Sequence, residues 1–161
     1  MKQIKVRVAT EADKTLYKNL VNIYHNELGL YCAEFQDVDD NGYFDNHYVD
    51  SYFCGDKAVM PLIITADGAT VGFAVVTVSP YCIEGCDFCI QEFFLVGYYR
   101  GTGAAKAAAE EIFSLFKGRY CAAVLSNNDR AIEFFRSIFK GKNMKESAYA
   151  GNFVLFEAEI K

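Results

Sequence analysis

Short apolar segments that alternate with polar residues, or that are bounded by turn residues, recur along the chain and predict β-strands. The fourth segment is apolar almost throughout, which places it in the middle of a sheet. An Asp-Gly pair at residues 67–68 predicts a hairpin between the second and third strands. The predicted strands cover residues 4–8, 59–65, 71–79, 87–96, 121–125 and 153–160.

Three other segments repeat apolar residues at helical spacing, and each predicts an amphipathic helix. The first follows a capping-box sequence at residues 10–13. The second covers residues 103–117, and the third begins after Asn127 or Asn128 as its N-cap. Their apolar stripes are Tyr17, Leu20, Val21, Tyr24 and Leu28 in the first; Ala105, Ala108, Ala109, Ile112 and Phe116 in the second; and Ala131, Phe134, Phe135 and Ile138 in the third.

The order of these elements is strand, helices, three strands, helix, strand, helix, strand. Residues 34–56, between the first helix and the second strand, are polar, acidic and aromatic and predict only short helix and loop. No internal repeat or linker interrupts the chain. The sequence therefore predicts a single α/β (α+β) domain over residues 1–161.

Composition narrows the class of protein. With 52% hydrophobic residues and a net charge of −5, the chain is globular and lacks the basic stripe of a nucleic-acid surface. No run reaches the roughly 20 apolar residues of a membrane span, and the alternating N-terminus does not fit a signal peptide. Six cysteines in a chain with a large predicted core favour a cytoplasmic protein with reduced thiols.

The segment 96–105 carries the strongest local signal for a ligand. It leaves a predicted buried strand and opens a helix, and Gly101 and Gly103 permit a tight backbone whose N–H groups converge. Such amides, together with the positive end of a helix dipole, suit a pyrophosphate. Arg100 and Lys106 add positive charge. The alternative is a plain glycine turn before a helix.

Two other phosphate-binding motifs fit this segment poorly. A Walker-type loop requires Gly-Lys followed by Ser or Thr, whereas the chain has Gly103 followed by Ala104. A dinucleotide fingerprint requires a third glycine and follows the first strand, whereas this loop follows the fourth. Neither nucleotide class is therefore predicted.

Two motifs resemble those of the GNAT superfamily of acyl-CoA N-acyltransferases. One is its coenzyme A signature, in which Arg or Gln is followed by two residues, Gly, one residue, and Gly or Ala. The other is an Asn followed by Ala and an aromatic pair on a helix. The element order also fits, so the resemblance covers nearly the whole chain. The matching residues are Arg100, Gly103 and Ala105, and then Asn128, Ala131, Phe134 and Phe135.

The resemblance implies a splayed, mostly antiparallel central sheet flanked by helices. Acetyl-CoA would lie between the fourth strand and the strand at 121–125. The backbone of Leu95 and Val96 would hold its pantetheine arm, with Asn128 and Phe135 beside it. Its pyrophosphate would be bound by the loop residues Arg100, Gly101, Thr102, Gly103, Ala104 and Ala105.

The same resemblance implies transfer of an acetyl group to a primary amine, with Glu92 placed like the carboxylates that act as base in several members. Many members have Tyr where this chain has Phe135, which has no proton for the leaving thiolate. Either another group, for which Ser126 is a candidate, or water acts as the acid. The alternative is an acyl-CoA-binding sensor without efficient turnover. The oligomeric state, a homodimer included, stays open.

Residues 34–56 contain seven acidic residues, no Lys or Arg, and several aromatic rings. Acidic groups beside aromatic faces would attract a small cationic amine. The alternative is a solvated acidic surface over a core patch. We expect His25 and His47 to be surface or capping residues.

Two metal motifs are incomplete. Cys82, Cys86 and Cys89 match the spacing of a radical S-adenosylmethionine cluster, but the 72 residues that follow are too few for the barrel of such enzymes. Zinc lacks an obvious fourth ligand. Residues 37–42 begin like a calcium loop, but Tyr48 stands where the bidentate Glu should be. No metal is therefore predicted.

Overall fold

The computed structural model describes residues 2–161, which form one seven-stranded sheet with three α-helices. The sheet order is β1-β2-β3-β4-β5-β7-β6. The strands are β1 (Ile4–Val8), β2 (Val59–Ala66), β3 (Ala69–Thr77), β4 (Phe88–Leu95), β5 (Gly118–Leu125), β6 (Lys145–Tyr149) and β7 (Phe153–Ile160). The helices are α1 (Lys14–Leu28), α2 (Ala104–Leu115) and α3 (Asp129–Phe139), and 3-10 turns include His47–Phe53.

The sheet is antiparallel except between β4 and β5, and this pair opens it. Within the described chain these two strands pair in parallel at Phe88 with Tyr120 and at Cys89 with Cys121 only. Past Cys89 they diverge. A bulge in β4 adds local bend and twist, since Val75 pairs with Glu92 and Val76 with Ile90. The predicted splayed, mostly antiparallel sheet is confirmed.

Apolar side chains cover both faces of the sheet. On one face α2 and α3 pack against the larger core, which contains Ile112 and Phe139. On the other face α1 and the 3-10 helix His47–Phe53 cover a smaller core centred on Tyr17. The fully buried Tyr17 hydroxyl donates to the Ala74 carbonyl at 2.9 Å, so burial leaves no unpaired polar atom there.

Local turn and cap signals were predicted correctly. The Asp13 carboxylate accepts from the Thr10 amide at 2.8 Å, which completes the capping box ahead of α1. Asn128 caps α3 by accepting from the Ala131 amide at 3.1 Å. At the β2–β3 hairpin Asp67 and Gly68 both have positive φ, at 50° and 85°, as a two-residue turn requires.

One strand was missed. All five residues of β6 are exposed, and the strand pairs with β7 at the edge of the sheet. A strand with no buried face has no apolar alternation, so periodicity carries no signal for it. Among residues 2–161, no helix is long and apolar enough to cross a membrane.

Candidate active site

The loop between β4 and α2 lies where the sheet opens. Gly101 and Gly103 have positive φ values of 72° and 87°, and a Cβ built on either would meet no atom within 4 Å. The first helical hydrogen bond runs from the Ala107 amide to the Gly103 carbonyl at 3.0 Å. In the described chain the amides of residues 101–106 have no closer partner than the 3.4 Å contact of Ala104 with Thr102 Oγ1. These amides can therefore serve a ligand anion.

The guanidinium group of Arg100 is bound by other groups of the protein. Its Nε donates to the Leu95 carbonyl at 2.7 Å, and its two terminal nitrogens contact Glu27 at 2.7 and 2.5 Å. The guanidinium also lies 5.3 Å from the centre of the Phe94 ring. Arg100 thus connects the loop to the last turn of α1, and its charge is already paired. Lys106, on the first turn of α2, is exposed.

The two adjacent aromatic residues of α3, Phe134 and Phe135, lie in different places: Phe135 in the core and Phe134 at the opening. Phe135 is 7% exposed and stacks on Phe156 of β7 at 5.9 Å between ring centres. Phe134 packs against Phe93 of β4 at 4.6 Å and thereby connects α3 to the strand on the far side of the opening. The sequence motif includes Phe134 but predicts no role for it. Asn128, beside the opening, uses its side-chain oxygen as the helix cap.

Glu92 lies on β4, on the sheet face covered by α1. Its Oε1 accepts from the Tyr48 hydroxyl at 3.0 Å, whereas its Oε2 is shielded from solvent and has no hydrogen-bond partner in the described chain. Burial raises the pKa of Glu92 to about 7, against the opposite influence of the Tyr48 and Tyr52 hydroxyls. A carboxyl with a pKa near neutrality can both accept and release a proton under physiological conditions.

His25 contacts the same phenol. Its Nε2 lies 2.7 Å from the Tyr48 hydroxyl oxygen, so His25, Tyr48 and Glu92 form a continuous chain. The expected surface position of His25 is wrong, because the side chain is only 1% exposed. Its place four residues after Val21 on the apolar stripe of α1 was the signal that could have shown this.

A model of the acetyltransferase (GNAT) family matches residues 20–139. The chain belongs to the GNAT family. It is therefore, in general terms, an acyl-CoA N-acyltransferase. Among curated proteins, none matches its sequence.

Solved structures with the same fold are distant in sequence. An acetyltransferase from Thermus thermophilus has a TM-score of 0.73 at 16% identity, covering 98% of this chain and 97% of that one. The Salmonella typhimurium protein yncA, solved with its cofactor acetyl-CoA, has a TM-score of 0.62 at 14% identity, covering 98% and 94%. PaiA N-acetyltransferase from Thermoplasma acidophilum, in complex with coenzyme A, has a TM-score of 0.63 at 14% identity. The match covers 98% of this chain and 99% of that one.

Ser126 follows β5 in this GNAT protein and is exposed. Its amide donates to the Asn152 carbonyl at 2.8 Å, and within residues 2–161 its hydroxyl makes no side-chain hydrogen bond. The neighbouring Asn127 donates to the Tyr31 carbonyl at 3.0 Å and so connects this edge of the opening to the segment after α1.

The acidic segment uses several of its charges internally. Asp50 contacts Lys14 and Lys18 at 3.0 and 2.9 Å. Asp39 accepts from the amides of Asn41 and Tyr43 at 2.8 and 2.9 Å, which makes the calcium-like sequence a self-capped turn. The side chains of this segment that act on Glu92 are the phenols of Tyr48 and Tyr52.

The cysteine motif of this GNAT protein folds into a small apolar cluster. Cys121 of β5, absent from the sequence motif, lies 3.7 Å from Cys82 between their sulfurs. Burial raises the pKa of Cys82 to about 12 and of Cys86 to about 11, so both remain thiols at neutral pH. Across the part of the chain that the structure describes, no group of three or more His, Cys, Asp or Glu side chains could hold a metal ion.

Proposed function

We propose that this GNAT protein transfers the acetyl group of acetyl-CoA to the primary amine of a small cationic molecule, in the cytoplasm. The observation that carries the proposal is Glu92, a carboxyl with a pKa near 7 and one unpartnered oxygen, close to the opening of the sheet. A protein that only bound acyl-CoA would need no such group. Buried polar atoms without partners are rare and concentrate where function requires them.

The donor side of the opening fits the coenzyme. Apart from the 3.4 Å contact of the Ala104 amide with Thr102 Oγ1, the amides of residues 101–106 have no hydrogen-bond partner among residues 2–161. They stand at the N-terminus of α2, where the helix dipole adds positive potential. In the proposed complex the amides of Gly101, Thr102, Gly103, Ala104 and Ala105 bind the pyrophosphate. Arg100 holds the loop in shape through Glu27, while the backbone at Leu95 and Val96, with Asn128, lines the pantetheine arm.

In the proposed reaction Glu92 removes a proton from the ammonium group of the acceptor. Oε2 is shielded from solvent, so in the proposed reaction the side chains that cover it move apart to admit the water molecule that carries the proton. The neutral amine then attacks the thioester carbonyl, and the carbon–sulfur bond breaks as the amide forms. As the amide forms, the attacking nitrogen loses its second proton to water. The thiolate takes a proton from Ser126, the proposed donor, which regains one from water, and Phe135 contributes only apolar surface.

The acceptor is proposed to be cationic because the opening is covered by phenol rings and an ionisable carboxyl. Tyr48 and Tyr52 pack edge to face, with 5.5 Å between ring centres, beside Glu92. Such faces attract an ammonium group. Sensing of acyl-CoA without turnover is the second candidate, and Phe135, which carries no hydroxyl, favours it.

The test is release of free thiol from acetyl-CoA across polyamines, aminoglycosides, amino acids and peptide N-termini, alongside calorimetric binding of acetyl-CoA. Binding together with release on at least one amine supports the enzyme. Binding without release on the whole panel supports the sensor. Absence of acetyl-CoA binding would overturn both.

A further inference from the structure

Two buried side-chain polar atoms lack a hydrogen-bond partner within residues 2–161, and they are Nδ1 of His25 and Oε2 of Glu92. They stand at opposite ends of one chain of contacts, His25–Tyr48–Glu92. The inner atoms of that chain are well paired, at 2.7 and 3.0 Å. Unpaired buried atoms cost stability, so their presence at both ends of one chain calls for a functional explanation.

The positions of the protons in this chain follow from its chemistry. The hydroxyl of Tyr48 has one proton and two partners, and an ionised Glu92 can only accept. Tyr48 therefore donates to Oε1 of Glu92, and its oxygen accepts from Nε2 of His25. Burial lowers the pKa of His25, which keeps the ring neutral. The proton is then on Nε2, and Nδ1 is bare.

The surroundings hold the imidazole in place. The ring of His25 stacks on Phe35 with 4.3 Å between centres, and Phe44 meets it edge-on at 6.3 Å. Helix α1 fixes its backbone. A ring enclosed in this way cannot rotate to offer Nδ1 in place of Nε2 without displacing these neighbours.

We propose that His25 is a positioning residue for proton transfer at Glu92. Its Nε2–H holds the Tyr48 hydroxyl in the direction of Oε1, so that this oxygen is occupied and Oε2 is left as the one basic oxygen. The proposal rests on the proposed function, in which Glu92 accepts the proton of the amine. The arrangement parallels other sites where an outer group fixes the orientation of the group that exchanges the proton.

Other titratable groups surround the chain, and of these the Tyr52 hydroxyl also stabilises the ionised carboxyl of Glu92. Tyr17 and Tyr24 of α1 and Tyr52 of the 3-10 helix face Glu92, and burial raises the pKa of all three, so they stay neutral. Asp45 is the charged group that acts on His25. The ionised form of Glu92 is therefore stabilised by the Tyr48 hydroxyl, which His25 orients, and also by the Tyr52 hydroxyl.

The first test reads the tautomer directly. The chain has two histidines, so ¹⁵N spectra of histidine-labelled protein contain two imidazoles, and His47→Gln assigns them. At about pH 9, where Glu92 with its pKa of about 7 is ionised, we expect His25 to be neutral with its proton on Nε2. In Tyr48→Phe this preference should be lost. A proton on Nδ1, or a charged ring, under these conditions would overturn the proposal whether or not an acceptor is known.

The second test uses the rate of thiol release with a working amine. His25→Phe keeps a flat ring but removes the donor, whereas His25→Gln keeps an N–H near the position of Nε2. We expect His25→Phe to lower kcat about tenfold and to move the acid limb of the pH profile upward by roughly half a pH unit, because the carboxylate loses stabilisation. His25→Gln should restore most of the wild-type kcat and most of the wild-type position of the acid limb. His47→Gln should have the wild-type kcat and pH profile.

A double-mutant comparison separates positioning from general loss of stability. In a Tyr48→Phe background His25→Phe should have little further effect on kcat, since the connection is already broken. Full additivity, or an unchanged pH profile in folded His25→Phe, would overturn the inference while leaving the acetyltransferase proposal intact. If His25→Phe does not fold, the same kinetic comparison is made with His25→Leu, and the tautomer measurement tests the proposal independently. Failure of every amine with the predicted tautomer present would instead overturn the proposed function.

Discussion

Both carboxylate oxygens of Glu27 bind the guanidinium of Arg100, at 2.5 and 2.7 Å, and so connect the last turn of α1 to the loop before α2. The two residues are 73 positions apart in the chain. Arg100 is the first residue of the coenzyme A signature, yet its charge is paired within the protein. Its contribution to binding should therefore be largely through the shape of the loop.

Arg100→Ala should lower the free energy of unfolding by about 1 to 2 kcal/mol, because it removes the ion pair and the bond to the Leu95 carbonyl. Acetyl-CoA affinity should fall about three- to tenfold. Glu27→Ala should weaken binding to a similar extent, and Glu27→Gln less. Calorimetry and urea unfolding measure both quantities. If Arg100 instead contacts the pyrophosphate directly, Glu27→Ala would leave binding unchanged or tighten it.

Gly103→Val should weaken acetyl-CoA binding about tenfold or more, roughly 1.4 kcal/mol. The φ of 87° strains a branched residue, and the open space above the glycine would be filled where the pyrophosphate must approach the amides. Gly141→Val is the matched control. Gly141 has a φ of 78°, and a Cβ built on it, as on Gly103, would meet no atom within 4 Å. It follows the C-terminus of α3, away from the loop before α2. Equal affinity of both folded variants and wild type would contradict the loop assignment.

Glu92→Gln should reduce the rate of thiol release by about 10²- to 10⁴-fold with little change in acetyl-CoA affinity, because it removes the proton acceptor and keeps the shape. In wild type the rate should rise with pH as Glu92 ionises through a pKa of about 7. This rise of the rate with pH should be absent in Glu92→Gln. A Glu92→Gln enzyme with the wild-type rate would exclude Glu92 from the mechanism.

The pH dependence of stability gives a separate measure of Glu92. Its pKa in the folded protein, about 7, lies above the ordinary 4.5, so between these values the native state holds a proton that the unfolded state has lost. Stability should therefore fall as pH rises from about 4.5 to 7. Glu92→Gln should flatten this dependence and, at pH 8, stabilise the protein by roughly 1 to 3 kcal/mol. Parallel wild-type and variant curves would contradict the raised pKa.

The cysteine cluster should be dispensable for chemistry. Replacing Cys82, Cys86 and Cys89 together by Ser should lower stability, since it puts hydroxyls where thiols pack against apolar neighbours. Acetyl-CoA affinity should be unchanged. Metal analysis of protein purified without oxygen checks the same point. Iron or zinc near one equivalent would contradict the apolar role of the cluster.

Local chemistry in the sequence determined the order of the elements and several of their ends. The Thr10–Asp13 cap, the Asn128 cap and the Asp67–Gly68 turn act over a few residues, so residue type and spacing suffice to predict them. Gly101 and Gly103, whose positive φ values shape the loop before α2, were likewise recognisable from residue type and spacing. The strand β6 was not predicted, because all of its residues are exposed and its sequence has no alternation of apolar and polar residues.

Only the tertiary structure decided which distant residues meet. The pairing of Arg100 with Glu27 and the contacts of Tyr48 with His25 and Glu92, 23 and 44 positions away, depend on how α1 and the 3-10 helix lie on the sheet. Local spacing contains no information about such contacts, because they form only when separate elements pack together. The burial that raises the pKa of Glu92 arises in the same way, from side chains that the sequence places far from it.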